Sequence, residues 1–371
     1  MAIQNYNTSP ARINKFKGEI LKHATPFEVL AKLGRQVSMP KNQSETYVAR
    51  RIVPYGATAA NSNQFFSNGA AGADRGASLA AAHVVQEGVT PSADSIVVQD
   101  ITATINQYSC LYGFTDKVVD LYEDDIPAEI KTQIGERVAL VNEMIIYGVL
   151  KSCTNTFFAG AGTTPSTTND KITLGLLRKI ARAMQANHAR PVTTMLKASA
   201  NIATEPVEQG YVVVCHTDLE PDLRDIPGFI PVSKYSTGTP MANEIGRVER
   251  FRFVTSPDLP ATYAGGASGN SAANGVSTFS TAAPSGTTKF SSALSNVAID
   301  IYPFFVLAQD AFSQIALRGK ESTDPTFIPA GEKTKSDPHG QRGYAGAIWW
   351  KGVMIENNQW MALGYCGITA L

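Results

Sequence analysis

The chain has 371 residues, of which 43% are apolar and 17% charged, with 32 Lys and Arg balanced by 32 Asp and Glu. That length is more than one compact core usually organises, so a small module is excluded and one large domain with long excursions, or two intertwined subdomains, is expected. The balanced charge gives no electrostatic reason to wrap nucleic acid or seek an anionic membrane, and a charged share below the usual ~25% implies a surface that is neutral or covered by neighbours.

Residues 1–55 carry nine basic side chains against three acids. Such a basic segment with scattered apolar residues reads as an arm lying along another surface, or as a solvated tail. Its start lacks the apolar stretch of a secretory signal, and no window reaches ~18 uninterrupted apolar residues, so a soluble chain made in a cytosol is expected. Thr46 to Tyr55 is rich in β-branched and aromatic residues and predicts a strand ending near Pro54. A second strand is written in Val97 to Ile105, where Val97, Ile101, Ala103 and Ile105 share one face. The apolar phase then moves to Tyr108, Cys110, Tyr112 and Phe114, which predicts a bulge near Asn106 and Gln107. Between the two strands lies a long run of Ala, Gly, Asn and Ser with a few apolar residues, Phe65, Phe66, Leu79 and Val84. Excursions longer than ~15 residues are uncommon in compact domains, so either this loop is floppy or another molecule holds it.

A helix is predicted from Pro127 to Lys151, with Ile130, Ile134, Val138, Val141, Ile145 and Val149 on one stripe. Glu123, Asp124 and Asp125 suit its positive dipole end, an assignment preferred over metal ligation or a carboxylate pair because it uses all three acids. A second amphipathic helix carries Ile172, Leu176, Leu177, Ile180, Ala183 and Met184 and stops near His188 to Pro191. Tyr211 to Cys215 reads as a strand buried on both faces. Further strands are expected at Arg247 to Val254 and Val297 to Leu307, followed by a C-terminal hairpin of Trp350 to Ile355 and Gln359 to Tyr365 around Glu356-Asn357-Asn358. Thr255 to Asn296, almost wholly Gly, Ala, Ser, Thr and Asn, reads as a surface insertion.

Catalytic motifs are absent: there is no GxSxG elbow, phosphate loop, HExxH, EF-hand or GxGxxG, so no cofactor is expected. Cys110, Cys153, Cys215 and Cys366 are widely separated and read as buried thiols of a reducing compartment. The best remaining site is His216 with Asp218, Glu220, Asp222 and Asp225, which follow a buried strand at the usual address for sites in open sheets. They fit a divalent metal, and hence a metal-dependent hydrolase, or turns made by side chain to backbone bonds, which the interleaved prolines favour. Lys15, Lys17 and Lys22 can touch phosphates, but without interleaved aromatic platforms such contacts are positional.

The order of these pieces resembles a tailed-phage major capsid protein of the Hong Kong 97 fold, an α+β architecture. More narrowly, Leu219-Glu-Pro-Asp-Leu-Arg-Asp-Ile-Pro-Gly-Phe229, Gly246-Arg-Val-Glu-Arg-Phe-Arg-Phe-Val-Thr-Ser256 and Lys335-Ser-Asp-Pro-His-Gly-Gln-Arg-Gly-Tyr344, running on into Trp349-Trp-Lys-Gly352, resemble the major capsid family of N4-like phages. The resemblance implies a non-enzymatic subunit that self-assembles into the icosahedral shell around packaged DNA, made in the bacterial cytoplasm and resident in the virion. It implies an N-terminal arm at 1–45, an extended loop at 46–116, a peripheral domain with spine helix at 117–170, an axial domain at 171–307 with an insertion at 256–296, and a return to the peripheral domain at 308–371. Its implied partners are other copies in hexamers and pentamers, a cementing or decoration protein, scaffold and portal, and DNA held non-specifically on the inner face, for which Lys15, Lys17 and Lys22 are candidates. No membrane partner is expected, and a tail or decoration protein is the other structural reading. Phe65, Phe66, Leu79 and Val84, with Arg50 and Arg51, are the candidate subunit contacts; the alternative is that the apolar four pack back on their own loop. Some shells of this fold are locked by an isopeptide bond from an extended-loop lysine, yet no lysine occurs between Lys41 and Lys117, so non-covalent interlocking is expected.

Overall fold

The computed structural model describes residues 28–55, 80–121, 125–193, 209–235, 240–267 and 299–369, apart from positions 43, 82, 91, 92, 94, 264, 334 and 336. Among the sequence-derived candidates, Lys15, Lys17, Lys22, Phe65, Phe66, Leu79, Glu123 and Asp124, with most of the 256–296 insertion, lie outside the described residues.

After a 3-10 turn at Leu30–Lys32 the elements run β1 (Arg35–Met39), β2 (Thr46–Ile52), β3 (Val98–Thr104), β4 (Asn106–Thr115), α1 (Asp116–Leu121), α2 (Ile126–Leu150) and β5 (Thr156–Phe158). There follow α3 (Leu174–Ala186), β6 (Tyr211–His216), α4 (Glu220–Arg224), β7 (Ile230–Pro231), β8 (Glu244–Val248) and β9 (Phe251–Ser256). The chain closes with β10 (Tyr302–Leu307), β11 (Phe312–Leu317), β12 (Asp324–Ile328), β13 (Arg342–Ile355) and β14 (Met361–Cys366). These strands form three sheets: a two-stranded ribbon of β2 and β3, a five-stranded sheet built on β13, and a seven-stranded sheet in the order β5-β14-β10-β6-β9-β8-β7.

The seven-stranded sheet is covered on both faces, which is why β6 is apolar without alternation. Tyr211, Val213 and Cys215 face a core shared with Leu177, Ile180 and Met184 of α3 and Leu223 of α4. Val212 and Val214 face a second core with Ile146, Tyr147 and Leu150 of α2. β6 is antiparallel to β10 and parallel to β9.

α2 begins as its sequence dictates: Asp125 caps it by accepting the Ala128 N–H at 3.2 Å, and Pro127 occupies the first turn. Its first half buries Ile130, Ile134 and Val138 against Cys110, Phe114 and Trp349 of the five-stranded sheet. The expected stripe then rotates. Val141, Ile145 and Val149 are half-buried, and Ile146, Tyr147 and Leu150 enter the second core instead, because the helix passes from one sheet to the other. At ~1.5–3 kcal/mol for each fully buried large apolar side chain, these contacts hold the two sheets to one rod.

Five expectations are corrected. Arg247 to Val254 is a turn and two strands rather than one strand: β8 and β9 pair antiparallel, and Glu249 in the turn has φ of 46°. The C-terminal hairpin does not form, because after Ile355 the N–H groups of Glu356 and Asn357 bond to Ala311 O and the chain leaves the five-stranded sheet, so that β14 pairs with β10 and β5. The phase change near Asn106 is a change of sheet rather than a bulge. β3 pairs β2 as far as Thr104, the Ile105 N–H donates to Glu45 O at 2.9 Å, and β4 then pairs β13. The end of the basic arm is not a tail: Val29 and Leu30 are buried, and β1 joins β11 in parallel. The insertion is also narrower at its edges, since β9 extends through Ser256, and Thr262 and Gly266 bond to Ile301 and Ile299.

Candidate assembly surface

The β2–β3 ribbon is the least self-sufficient element of the described chain, since a two-stranded ribbon is marginal in water unless one face is packed. Its register pairs Tyr47 with Ala103 and Ala49 with Ile101, and these four turn inward onto Met39, Ile315, Trp350 and Met354. A glycine permits the approach: a side chain at Gly352 would begin 3.1 Å from Thr104 O. Beyond this base the inner face continues to Val53, which is buried, and to Tyr55, whose hydroxyl meets His83 Nε2 at 2.9 Å, but much of the apolar surface further along is open. Val48, Ile52 and Val98 on the outer face are exposed, as are Tyr55, Val84, Val85, Val89, Ile96 and Val97 further out. Scattered exposed apolar residues are ordinary, but a concentration on one protruding element marks an interaction surface.

Arg50 and Asp100, opposite each other on the outer face, make a two-pronged pair at 2.8 and 3.1 Å. The guanidinium holds the Asp100 carboxyl below its usual range through that hydrogen bond. Both groups are solvated, so the pair sets ribbon register more than stability. Arg51 lies on the inner face and donates to Gln99 Oε1 at 2.7 Å, with burial lowering its pKa. Of the candidate contacts, then, Arg50 and Val84 are exposed while Arg51 is half-buried against its own ribbon.

Sequence reasoning missed the anchor beside the ribbon. Glu143, almost fully buried on α2, accepts the N–H groups of Val29, Leu30 and Ala31 at 3.0, 2.7 and 3.2 Å. Burial raises its carboxyl pKa, and these three bonds oppose the rise. Lys351 donates to Gln314 Oε1 at 2.5 Å, and Gln314 donates onward to Ala31 O at 2.8 Å, completing a polar clasp on the root of the N-terminal segment. The signal was one acid in a run of apolar residues where a surface helix would place its buried stripe.

The His216–Asp225 cluster is spent on structure. His216 Nδ1 accepts the Asp218 N–H at 3.0 Å, and Asp218 accepts Tyr302 O–H at 2.9 Å. Glu220 pairs with Arg224 one turn along. Asp222 is buried and accepts the Thr369 N–H at 2.8 Å and the Thr369 hydroxyl, with Lys171 Nζ at 3.4 Å, so it clamps the chain end. Among the described residues no group of three or more His, Cys, Asp or Glu side chains is placed to hold a metal ion, and no helix is long and apolar enough to cross a membrane. All four cysteines are buried and free; burial pushes the Cys153 thiol up to about 11 and the Cys215 thiol up to about 12.

A family model described as phage capsid protein matches residues 97–312. The major capsid protein of Pseudomonas phage KPP21 is 23% identical over 278 residues, which is 70% of this chain and 65% of that relative's length. Among solved structures, the capsid of Ralstonia phage GP4 superposes with a TM-score of 0.61 at 10% identity, covering 100% of this chain and 99% of that one. The capsid asymmetric unit of cyanophage Pam1 gives 0.55 at 12% identity, covering 98% and 99%. The head structure of Helicobacter pylori bacteriophage KHP40 gives 0.54 at 11% identity, covering 99% of each. At such identities these likenesses establish a shared fold.

Proposed function

The chain belongs to the phage capsid protein family, and on that footing we propose that it is a major capsid protein whose copies close into the icosahedral shell around the DNA genome of a tailed phage. The observation that carries this reading is the ribbon: its base packs on its own sheet, while Val48, Ile52 and Val98 on its outer face stand exposed. A subunit that completes such an element only in contact with neighbours gains burial on assembly and exposes it before.

In finer terms the reading is of the Hong Kong 97 type and of the N4-like group. The ribbon and the segment joining its strands form the extended loop, α2 is the spine helix, the five-stranded sheet belongs to the peripheral domain and the seven-stranded sheet to the axial domain. The two units interleave, since β5 and β14 enter the seven-stranded sheet from segments that otherwise serve the first unit. The role is structural and the chain is not an enzyme. It is made in the host bacterial cytoplasm and resides in the virion, with Lys15, Lys17 and Lys22 facing the DNA. A cementing protein, scaffold and portal are its further partners.

Size exclusion and electron microscopy of the expressed full chain test the proposal. Shells or capsomers are expected. A well-behaved monomer would overturn it, as would an activity that disappears when Asp218 and Asp222 are replaced. Changing Phe65 and Phe66 to Ser is expected to impair assembly more than folding, and normal particle yield from that variant would count against the extended-loop assignment.

A further inference from the structure

The last turns of β13 are paired on one edge only. The Glu356 N–H bonds to Ala311 O, so by alternation Met354 and Gly352 bond toward β11, while Val353 and Ile355 present their N–H and C=O groups to the opposite edge. β4 covers that opposite edge no further than Lys351, which it meets at its first residue, Asn106; the residues before Asn106 belong to the ribbon and pair with β2. Among the described residues no strand pairs with β13 on this side from Gly352 to Ile355. A groove of about 410 Å³ opens there. One of its walls is apolar, made by Ile145 and Val149 of α2, which are only half-buried. The other is polar and exposed, made by Thr102 and Thr104 of β3 and by Asn106. Free backbone groups on an edge, an apolar wall on one side and solvent on the other, are what an added strand requires.

The N-terminal segment arrives at the mouth of this groove. Lys351, which lines it, donates to Gln314 in the clasp on Ala31, and the charges of Glu28 and Glu143 act on the same ammonium. The described chain thus begins beside the unpaired edge, and residues 1–27 precede it. Within them Lys15-Phe16-Lys17-Gly18-Glu19-Ile20 alternates charged residues with apolar or small ones, the period of a strand with one wet side. Ile20 is eight residues from Glu28, and extended chain of that length reaches up to ~26 Å, so the segment can double back into the groove.

We propose that Phe16 to Ile20 adds as a strand to the free edge of β13 in the same copy, with Phe16 and Ile20 against Ile145 and Val149. Lys15, Lys17 and Glu19 then lie on the side of Thr102, Thr104 and Asn106 and stay in solvent. The added strand takes up the N–H and C=O groups of Val353 and Ile355 and covers the part of α2 that its own sheets leave half-buried. The contact is made within one chain, so it stands or falls independently of the reading as a shell subunit.

Hydrogen exchange at the Val353 and Ile355 amides of the full-length, dissociated chain tests this. Slow exchange that is the same at every dilution is expected in the wild type. It should become at least ~10-fold faster in a Phe16→Asp, Ile20→Asp double variant and stay slow in Lys17→Asp, which alters the wet side only. Fast exchange in the wild type, or slow exchange that survives in the double variant, would refute the added strand. Protection that disappears on dilution would give the strand to a second copy and so overturn the contact within one chain, and an equal loss in Lys17→Asp would overturn the assigned facing. Should the Asp pair fail to fold, Phe16→Ser with Ile20→Ser reads the same loss without buried charge.

Discussion

Arg252 of β9 is nearly buried, with its guanidinium laid along both oxygens of Glu244 at 2.7 and 2.6 Å. The same carboxylate accepts Tyr235 O–H at 2.7 Å and the Met241 N–H at 2.9 Å, so the buried charge is fully satisfied. Arg252→Ala would leave that carboxylate buried without its counter-ion and is expected to cost ~3–5 kcal/mol in thermal or denaturant unfolding; a loss below ~1 kcal/mol would contradict the assigned role. Glu143 makes a pH-dependent case. Burial raises its carboxyl above the ordinary 4.5, so the folded chain binds that proton more readily than the unfolded chain. Stability from this group is therefore greatest at acid pH and falls as pH rises from ~4.5 through the raised value. The stability difference between wild type and Glu143→Gln should shrink over that interval, and a difference that widens would show that the three backbone bonds outweigh burial. Neither residue's role was legible in the sequence. A lone Arg in an apolar strand and a lone Glu in an apolar helix gain their meaning from partners on other elements, and in the case of Glu143 those partners are backbone amides over a hundred positions away.

At the scale of elements, what could be read was local and periodic. Asp125, Pro127 and the Ile130–Ile134–Val138 stripe gave α2, and uninterrupted Val-Val-Val gave a central strand. The alternation of Ile101, Ala103 and Ile105 gave the ribbon face that packs on the five-stranded sheet. What failed was long-range pairing. β13 and β14 look like a hairpin because a turn former separates two apolar runs, but each strand finds a better-matched partner elsewhere, β11 and β10 respectively. Arg35 to Met39 has no pattern that announces a strand, and only parallel pairing with Ser313 to Leu317 makes it one. Ile315, fully buried where β1, β13 and the ribbon base meet, ties these elements together. Ile315→Ala is expected to lower stability by ~2–5 kcal/mol, the usual range for a large apolar side chain removed from a core. The exposed pair gives the contrast: Arg50→Ala should change monomer stability far less than Ile315→Ala, because both partners are solvated. Chemical unfolding of the two variants side by side checks the ranking, and a larger effect from Arg50 would mean that the ribbon's outer face is packed within the monomer.

On the whole molecule, neutrality and a low charged share signalled a surface made to be covered, and the exposed apolar residues of the ribbon are where that signal becomes structural. The composition could not say which residues carry that surface, because that depends on how the strands pair. With no lysine between Lys41 and Lys117, shells boiled in denaturant should run as monomer on a gel, and a ladder of covalent multimers would contradict non-covalent interlocking. The central claim is that the ribbon and its flanking segments reach their full order only against a neighbour. Hydrogen–deuterium exchange over Val84 to Thr104, compared between assembled particles and the same chain dissociated from them, tests it most directly. The account predicts strong protection in particles that is lost on dissociation, while the seven-stranded sheet stays protected in both. Equal protection of Val84 to Thr104 in the two states would contradict it.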